Sequence, residues 1–286
     1  MLGYENCALC PRKCYVNRLA GERGYCGCPG EALVAKAMLH PWEEPCLSPA
    51  GRSGAIFFGG CALQCSYCQN FAISRAPRGE PMDAAALRRQ MEALIAAGAE
   101  NIDLVTASQY LPTVLEALRP RLGVPVVYNC GGYERVRALR ALEGRVQIYL
   151  PDLKYADSAL AASLSGAPDY FEVASAAIRE MVRQTGSLRF EGERLVRGTL
   201  VRHLILPGQI ENSLRVLDWL GESFPRGQVL VSLMRQYTPL PGLRAPFDRA
   251  VTDEEYDAVL SWMLLNRLPG YVQEAGSAGE SYIPAF

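Results

Sequence analysis

Three cysteines, Cys61, Cys65 and Cys68, stand at C-x3-C-x2-C spacing in the stretch CALQCSYCQN. Random placement at this cysteine content would give such a triplet in roughly one chain in a hundred, so coincidence explains it poorly. A structural zinc ion usually takes four protein ligands, and no further cysteine or histidine follows nearby. Three thiolates on a 4Fe-4S cluster instead leave one iron open for another molecule. The spacing therefore favours a 4Fe-4S cluster over zinc or buried structural cysteines.

A second group of cysteines precedes this triplet. Cys7, Cys10, Cys14 and Cys26 have the spacing C-x2-C-x3-C-x11-C, and Cys28 is an additional thiol. Disulfide scaffolds are typical of small secreted chains that lack a core, so a four-thiolate metal site is the better interpretation here. Structural zinc and a second, fully ligated 4Fe-4S cluster that relays electrons both fit these ligands. The segment has little apolar core of its own, which slightly favours zinc.

The composition is that of a globular protein with an ample core. The chain has 286 residues, 49% of them hydrophobic, and a formal net charge of -1. Its charges are scattered rather than grouped, which disfavours nucleic acid or an anionic membrane surface as a partner. The longest apolar runs are strand-sized and no signal-like segment is present, so we expect no membrane span and a cytoplasmic location.

The elements that would position the cysteines alternate between strand and helix. Six runs rich in β-branched and aromatic residues predict buried strands: GAIFFGG, NIDLVT, VPVVYN, VQIYLPDLK, LVRHLILPG and QVLVSLM. Amphipathic stretches predict helices over 82–99, 111–118, 134–142, 170–185, 211–220 and 253–268.

Six such units predict an α/β fold with a parallel sheet that curls into an incomplete, laterally open barrel, a partial (β/α)6 barrel. A doubly wound open sheet is the alternative. We expect the barrel to span residues 51–286 and a small Cys-rich module to span residues 1–50. Both folds place an active site beyond the carboxyl ends of the strands, where the following residues would lie: Cys61, Ser108, Asn129, Asp152, Pro207 and Gln236.

Longer motifs add a family resemblance. The cysteine triplet after the first strand, with Tyr67 before its third cysteine, resembles the radical S-adenosylmethionine (SAM) superfamily. The stretches CALCPRKCYVNR, HPWEEPC, YNCGGYE, IYLPDLKY, VRHLILPG and MRQYTP resemble pyruvate formate-lyase activating enzymes and, more closely, iron-sulfur proteins described as similar to them. The resemblance implies that a reduced 4Fe-4S cluster cleaves SAM to a 5′-deoxyadenosyl radical, which abstracts hydrogen from a substrate.

The same resemblance implies roles for single residues. Tyr67 would lie against the SAM adenine, Arg202 would contact the SAM carboxylate, and Asn129 would lie near SAM. A core position is the alternative for Tyr67, and a surface salt bridge is the alternative for Arg202. Asp152 and Lys154 form an Asp-x-Lys pair that would lie near substrate and SAM, since alternation along a strand puts both side chains on one face.

The sequence departs from the activating enzymes at the end of the second strand. Those enzymes carry a Gly-Gly-Glu motif there, which receives the SAM amino group, whereas this chain reads TASQYLP. Ser108 and Gln109 occupy the position without a carboxylate. Backbone carbonyl groups or the Gln109 side chain would therefore hold the amino group.

Two further features carry polar residues. The turn HPWEEPC contains His40, Glu43 and Glu44, and it is either an exposed loop or a segment that caps the cavity or receives the substrate. His203 follows Arg202 on a buried strand and would point to the opposite face, so we expect a hydrogen-bonded core histidine rather than a catalytic base.

The resemblance to activating enzymes implies a radical SAM oxidoreductase that acts on a protein substrate, as a glycyl-radical activating enzyme does. A one-electron donor such as flavodoxin or ferredoxin would reduce its cluster. A radical SAM enzyme for a small polar metabolite is the nearest alternative, and a non-catalytic, zinc-held binding module is the alternative from another class. RNA modification would require a basic surface, which the composition does not offer.

Overall fold

The computed structural model describes residues 2–273, and one sheet organises them. Its strands, in chain order, are β1 Ala32–His40, β2 Ser53–Phe58, β3 Glu80–Met82, β4 Asn101–Val105, β5 Val126–Cys130, β6 Ile148–Pro151, β7 Arg189–Glu191, β8 Arg194–Leu204, β9 Val229–Met234 and β10 Gly270–Val272. All six predicted strands are present, as β2, β4, β5, β6, β8 and β9. Short β7 forms a hairpin with β8 at the side of the sheet.

Helices connect the strands. They are α1 Phe71–Ser74, α2 Ala84–Ala96, α3 Leu111–Ala117, α4 Val136–Leu142, α5 Ser158–Ser165, α6 Tyr170–Thr185, α7 Ile210–Ser223 and α8 Asp253–Leu265. The six predicted helices are present with slightly shifted ends. The Asp83 side chain caps α2 by accepting a hydrogen bond from the Ala86 amide at 2.7 Å. No helix within residues 2–273 is both long enough and apolar enough to cross a membrane.

The order of the strands confirms the predicted partial barrel. Strands β2, β4, β5, β6, β8 and β9 are parallel neighbours in the same order as in the chain, and β10 adds a further parallel strand beside β9. A doubly wound sheet would reverse its order at a switch point, and this sheet does not. Within residues 2–273 the two ends of the sheet, β3 and β10, do not pair with each other, so the barrel is open at one side.

The amino-terminal segment contributes to this sheet. Strand β1 pairs antiparallel with β2 from Val34 opposite Phe58 to His40 opposite Ser53, and β3 pairs antiparallel with β1. Residues 32–40 belong to the predicted Cys-rich module, yet they form a strand of the main sheet. Their run ALVAKAMLH was not predicted as a strand, because Lys36 interrupts it and most of its side chains are only half-buried.

Alternation along the strands separates two apolar layers. Outward-facing side chains such as Tyr128, Tyr149 and Val201 belong to the large core beneath the helices. The inward-facing side chains form a separate cluster, whose buried members are Cys46, Leu47, Val127, Ile148, Leu150, Leu195, Leu200 and Leu230. The inner cluster fills the part of the barrel near the amino ends of the strands.

The loop between β1 and β2 closes that end of the barrel. Residues 41–52 leave the sheet beside Ser53, at the amino end of β2, and return into the interior. Asn101 at the start of β4 donates to the Leu47 carbonyl at 2.8 Å, and the Leu195 amide donates to the Cys46 carbonyl at 2.7 Å. Leu47 is fully buried, which contributes about 1.5–3 kcal/mol. We call residues 41–52 the plug.

His203 is a hydrogen-bonded core residue, as predicted. Its Nδ1 lies 2.6 Å from the Leu153 carbonyl and its Nε2 lies 2.9 Å from Ser213 Oγ. Burial lowers the pKa of His203 to about 4. The imidazole is therefore neutral in the folded protein at neutral pH.

The lowered pKa of His203 predicts that the folded protein loses stability in acid. The unfolded chain binds a proton near pH 6.5 and the folded chain only near pH 4, so stability is complete above pH 6.5 and falls as the pH decreases toward 4. The loss reaches about 3 kcal/mol at 1.36 kcal/mol per pKa unit. Urea unfolding of wild type and His203→Gln at pH 7.5 and 4.5 measures it. Equal changes in both proteins would contradict the assignment.

Candidate active site

A polar cavity of about 230 Å³ lies inside the barrel toward the carboxyl ends of the strands. Its charged side chains and Asn129 come from different elements: Glu43 from the plug, Asn129 from β5, Asp152 and Lys154 from the end of β6, and Arg202 from β8. Consecutive parallel strands bring these side chains together, since each contributes an inward-facing residue near its carboxyl end. The amides Gln69 and Asn70 follow the cysteine triplet and also line the cavity.

The cavity floor is a continuous network of charged hydrogen bonds. Asp152 Oδ2 lies 2.5 Å from Lys154 Nζ, and Asp152 Oδ1 accepts from Arg202 Nε at 2.9 Å. Arg202 Nη2 donates to Asn129 Oδ1 at 2.6 Å, and Asn129 Nδ2 donates to Asp103 Oδ2 at 3.1 Å. The network joins residues of four neighbouring strands, β4, β5, β6 and β8, and fixes the orientation of Asp152 and Arg202.

Electrostatics keeps the three central groups ionised. Burial alone would raise the pKa of Asp152, but the nearby Arg202 and Lys154 charges hold it below its usual value. Burial would likewise lower the pKa of Lys154, and the Asp152 carboxylate outweighs that effect, so this pKa is raised. The cavity therefore presents a carboxylate between two cations.

The cysteine triplet lies on the loop after β2, at the edge of this cavity. Cys65 and Cys68 line the cavity, and Cys61 is half-buried beside them. The Cys68 amide donates to the Cys65 carbonyl at 3.2 Å, and Gln64 adopts a positive φ of 51°, so the chain turns tightly between the thiols. Ser165 Oγ donates to Cys65 Sγ at 3.0 Å from the end of α5.

The donor set fits an iron-sulfur cluster that needs three thiolates. Burial and then the neighbouring thiols Cys65 and Cys68 raise the pKa of Cys61 to about 12, so the thiol form is favoured when no metal is bound. A cationic cluster would offset that cost, because metal binding stabilises thiolates. Within residues 2–273 no three Cys, His, Asp or Glu side chains could hold a metal ion as they stand.

Tyr67 has its ring in the cavity wall. Its hydroxyl lies 2.7 Å from that of Tyr155, which in turn lies 2.7 Å from Ser165 Oγ. Its ring also packs against Tyr237 with centroids 5.8 Å apart. Tyr67 is thus held rigidly between the cysteine loop and the chain after β9.

Solved structures share this arrangement of elements. No protein-family model matches the chain. An uncharacterised protein of Methanocaldococcus jannaschii is 27% identical over 246 residues, which cover 82% of this chain and 67% of the relative. A radical SAM methyltransferase from Sphaerobacter thermophilus has a TM-score of 0.54 at 17% identity, over 77% of this chain and 66% of that chain. The chain has the radical SAM fold. A spore photoproduct lyase mutant gives a TM-score of 0.51 at 14% identity, over 81% of this chain and 79% of the lyase.

The match leaves part of the larger proteins unaccounted for. The chain spans about two thirds of both the archaeal relative and the methyltransferase, at 67% and 66% of their lengths. A second protein of the same archaeon is 31% identical, but only over 87 residues. The similarity to solved structures is therefore a similarity of fold. It does not assign the activities of those proteins to this chain.

In this radical SAM fold, Ser108 and Gln109 lie outside the cavity lining, and each donates hydrogen bonds to other buried groups. Ser108 Oγ donates to the buried carboxyl group of Glu134, and Gln109 Nε2 donates to the carbonyl groups of Gly59, Gly60 and Thr106 at 2.8–3.1 Å. Gln109 Oε1 has no hydrogen-bond partner within the described residues. This side-chain oxygen, in the segment after β4, can therefore accept a hydrogen bond from a bound ligand.

The amino-terminal cysteines form a compact turn against the barrel. Four of them are buried and Cys14 is partly exposed, as the structure places Cys7, Cys10, Cys14, Cys26 and Cys28. The Tyr15 amide donates to the Cys7 carbonyl and the Cys7 amide to the Val16 carbonyl, both at 2.9 Å. A hydrogen bond from Cys28 lowers the pKa of Cys26 to about 6, so at least one thiol is readily ionised for a metal.

This cysteine turn contacts the loop that follows β2 and carries the cysteine triplet. Cys28 Sγ lies 3.5 Å from the Gly59 carbonyl, and a Cβ on Gly60, which has a φ of +81°, would collide with the same sulfur. The buried Arg18 guanidinium donates to the Gln109 carbonyl at 2.5 Å and to the Cys28 and Pro29 carbonyls. The amino-terminal cysteines therefore pack against the backbone that leads into the cysteine triplet.

Sequence reasoning missed two buried acids near the site. Asp103 lies on β4 beside Val127 of β5 and faces inward, and Glu134 lies beneath Ser108. Burial raises the pKa of Glu134 to about 7. A single aspartate inside the apolar run NIDLVT was the available signal, since a buried carboxyl group needs a partner.

Proposed function

We propose that this protein is a radical SAM enzyme that abstracts a hydrogen atom from its substrate. The supporting observation is that two thiols of the C-x3-C-x2-C loop line the same cavity as the ionised Asp152, Lys154 and Arg202. When bound, a 4Fe-4S cluster with SAM on its open iron would supply an electron that cleaves SAM to methionine and a 5′-deoxyadenosyl radical. Cys61, Cys65 and Cys68 would hold that cluster.

The chain's own residues would bind and orient. Arg202 keeps guanidinium N–H groups beyond those that bond Asp152 and Asn129, so it can also hold a carboxylate. Lys154 presents a second cation at the cavity surface, and Asp152 fixes both. We propose Tyr67 and Asn129 as further contacts to SAM. These groups are fixed before ligand binding, which reduces the cost of ordering the site.

Apolar side chains complete the cavity and exclude water. They come from β2, β4, β8 and β9, as Phe57, Val105, Leu204 and Met234. A reactive carbon radical needs such surroundings, because excluded solvent cannot quench it.

The test is 5′-deoxyadenosine formation from SAM by anaerobically reconstituted protein reduced with dithionite. We expect product only when iron, sulfide, reductant and SAM are all present. Reactions without dithionite are the control. Protein that carries iron and sulfide but yields no product with SAM would refute the proposed cleavage, and zinc at both cysteine groups would favour a binding module.

We propose a polypeptide segment as the substrate and flavodoxin or ferredoxin as the electron donor. Exposed aromatic side chains near the cavity mouth support a polypeptide: Trp42 is 58% exposed and Phe71 is 45% exposed. Such side chains suit contacts with an extended peptide. The charged cavity floor favours a small polar metabolite as the second candidate. Dialysis of a cell extract distinguishes the two candidates. A protein substrate would stimulate 5′-deoxyadenosine formation only from the retained fraction, and a small metabolite only from the dialysate.

A further inference from the structure

Arg12 reaches from the amino-terminal cysteine turn to the loop of the cysteine triplet. It lies in the stretch CPRKC, between Cys10 and Cys14. Its Nε donates to the Ala62 carbonyl at 2.8 Å, directly after the first cysteine of the triplet. A residue of one cysteine group therefore holds the backbone of the other.

The same guanidinium also binds the end of α5. Its Nη1 donates to the Gly166 carbonyl at 2.6 Å, and its Nη2 donates to the Ser165 carbonyl at 2.9 Å. The last carbonyl groups of a helix have no partner within the helix, and a cation near them is favourable. Arg12 thus joins the triplet loop to the last turn of α5.

That turn of α5 positions the middle cysteine of the triplet. Ser165 is only 2% exposed, and its Oγ donates to Cys65 Sγ at 3.0 Å. The Leu164 carbonyl accepts from the Ser66 amide at 2.8 Å. Cys65 and its neighbour Ser66 are therefore bound to the same helix end that Arg12 binds.

Aromatic rings keep the guanidinium in place. The Arg12 Cζ lies 3.9 Å from the centroid of the Tyr25 ring and 5.4 Å from that of the Tyr133 ring. Tyr25 contacts both cysteine groups, since its amide donates to Cys14 Sγ at 3.3 Å and its carbonyl accepts from Gln64 Nε2 at 2.9 Å. These contacts order the Arg12 side chain before any cluster binds.

We propose that Arg12 is a positioning residue for the cysteine triplet: it holds the triplet loop against α5, so that Ser165 keeps its hydrogen bond to Cys65. A hydrogen bond to a sulfur that ligates a cluster stabilises its negative charge and raises the reduction potential of the cluster. Arg12 would therefore act on that potential through Ser165, and the amino-terminal cysteine turn would support the cluster site. This inference deepens the proposed function and rests on it for the cluster.

The first measurement uses protein without iron, so it does not depend on SAM cleavage. Iodoacetamide alkylates thiols, and peptide mass spectrometry gives separate rates for Cys65 and for Cys46, which lies in the inner apolar cluster. We expect Arg12→Gln to alkylate at Cys65 about tenfold faster than wild type, because the loop opens more readily without its charged hydrogen bonds. The rate at Cys46 should stay the same. Equal acceleration of both thiols would indicate a general loss of stability and overturn the proposal, as would an unchanged rate at Cys65.

Arg135→Gln is the matched control. Arg135 also bonds the amino-terminal turn, by donating to the Ala8 carbonyl, but this hydrogen bond reaches neither α5 nor the triplet loop. We expect wild-type alkylation of Cys65 in this variant. A rate equal to that of Arg12→Gln would mean that any attachment of the turn has this effect, and the specific role of Arg12 would be wrong. Arg12→Lys keeps the charge but not the fork of donors, so its rate should lie between those of wild type and Arg12→Gln.

The second measurement is the midpoint potential of the reconstituted 4Fe-4S cluster, by redox titration with electron paramagnetic resonance. We expect Arg12→Gln and Ser165→Ala each to shift the potential to a more negative value, and the double variant to match Ser165→Ala, because Arg12 acts through Ser165. Additive shifts in the double variant, or no shift in Arg12→Gln, would overturn the proposal. Protein that holds no cluster would contradict the proposed function, whereas the alkylation rates decide the role of Arg12 independently.

Discussion

Replacing Cys65 with alanine is expected to remove about four iron atoms per protein and to abolish 5′-deoxyadenosine formation. Cys65 lines the cavity, and Ser165 positions its sulfur. Two remaining thiols of the triplet cannot hold a cluster that needs three ligands. Iron and sulfide analysis, the visible absorbance of the cluster and product chromatography measure the loss.

Cys46→Ala is the matched control for this substitution. Cys46 is equally buried but lies in the inner apolar cluster of the plug. We expect that variant to keep its iron and to form 5′-deoxyadenosine at close to the wild-type rate. Retention of full iron and activity by Cys65→Ala would show that the triplet is not the cluster site.

The second large effect concerns stability. We expect Arg202→Ala to lower the free energy of unfolding by about 1.5–3 kcal/mol, because it removes the guanidinium partner of the half-buried Asp152, which keeps only Lys154. It also removes the donor to Asn129. Urea unfolding of the protein without cluster or SAM measures this change independently of catalysis. Arg202→Lys keeps the positive charge but not the fork of donors, so its loss should be smaller.

An exposed ion pair provides the comparison. Arg215 lies 3.0 Å from Asp157 at the surface, and Arg215→Ala should change the unfolding free energy by less than about 1 kcal/mol. Similar losses for Arg202→Ala and Arg215→Ala would mean that the cavity network contributes no more than surface charges do.

Local patterns were sufficient to predict most of the barrel. Runs such as GAIFFGG and QVLVSLM are continuous and apolar, as strands buried on both faces must be, and β2 and β9 formed there. Strand β1 was not predicted because its half-buried side chains and Lys36 weaken the pattern. Helix α5 was also not predicted, since SALAASLS is short and small residues dominate it.

The site likewise has features that are local in the sequence and features that depend on the tertiary fold. The cysteine triplet is a local motif, so its loop could be found from spacing alone. The hydrogen bond from Asn129 to Asp103 depends on the register between β4 and β5, and the position of Glu43 in the cavity lining depends on a loop that re-enters the barrel from the opposite end. Neither feature is local in the sequence. Asp152 and Arg202 were each assigned to the site through the family resemblance. Their ion pair joins the carboxyl ends of β6 and β8, which are neighbours in the sheet, so it is a consequence of strand order.

The plug lines the cavity but contributes no strand to the sheet, so it can affect ligand binding without affecting the fold. Residues 41–52 form no strand, yet they bring the side chains of Trp42 and Glu43 into the cavity lining. Exchanging this segment between relatives would alter the charge and shape of the cavity while every strand pairing stays in place. Evolution, or a protein engineer, can therefore change what the barrel accepts by editing a dozen residues that precede the cysteine loop.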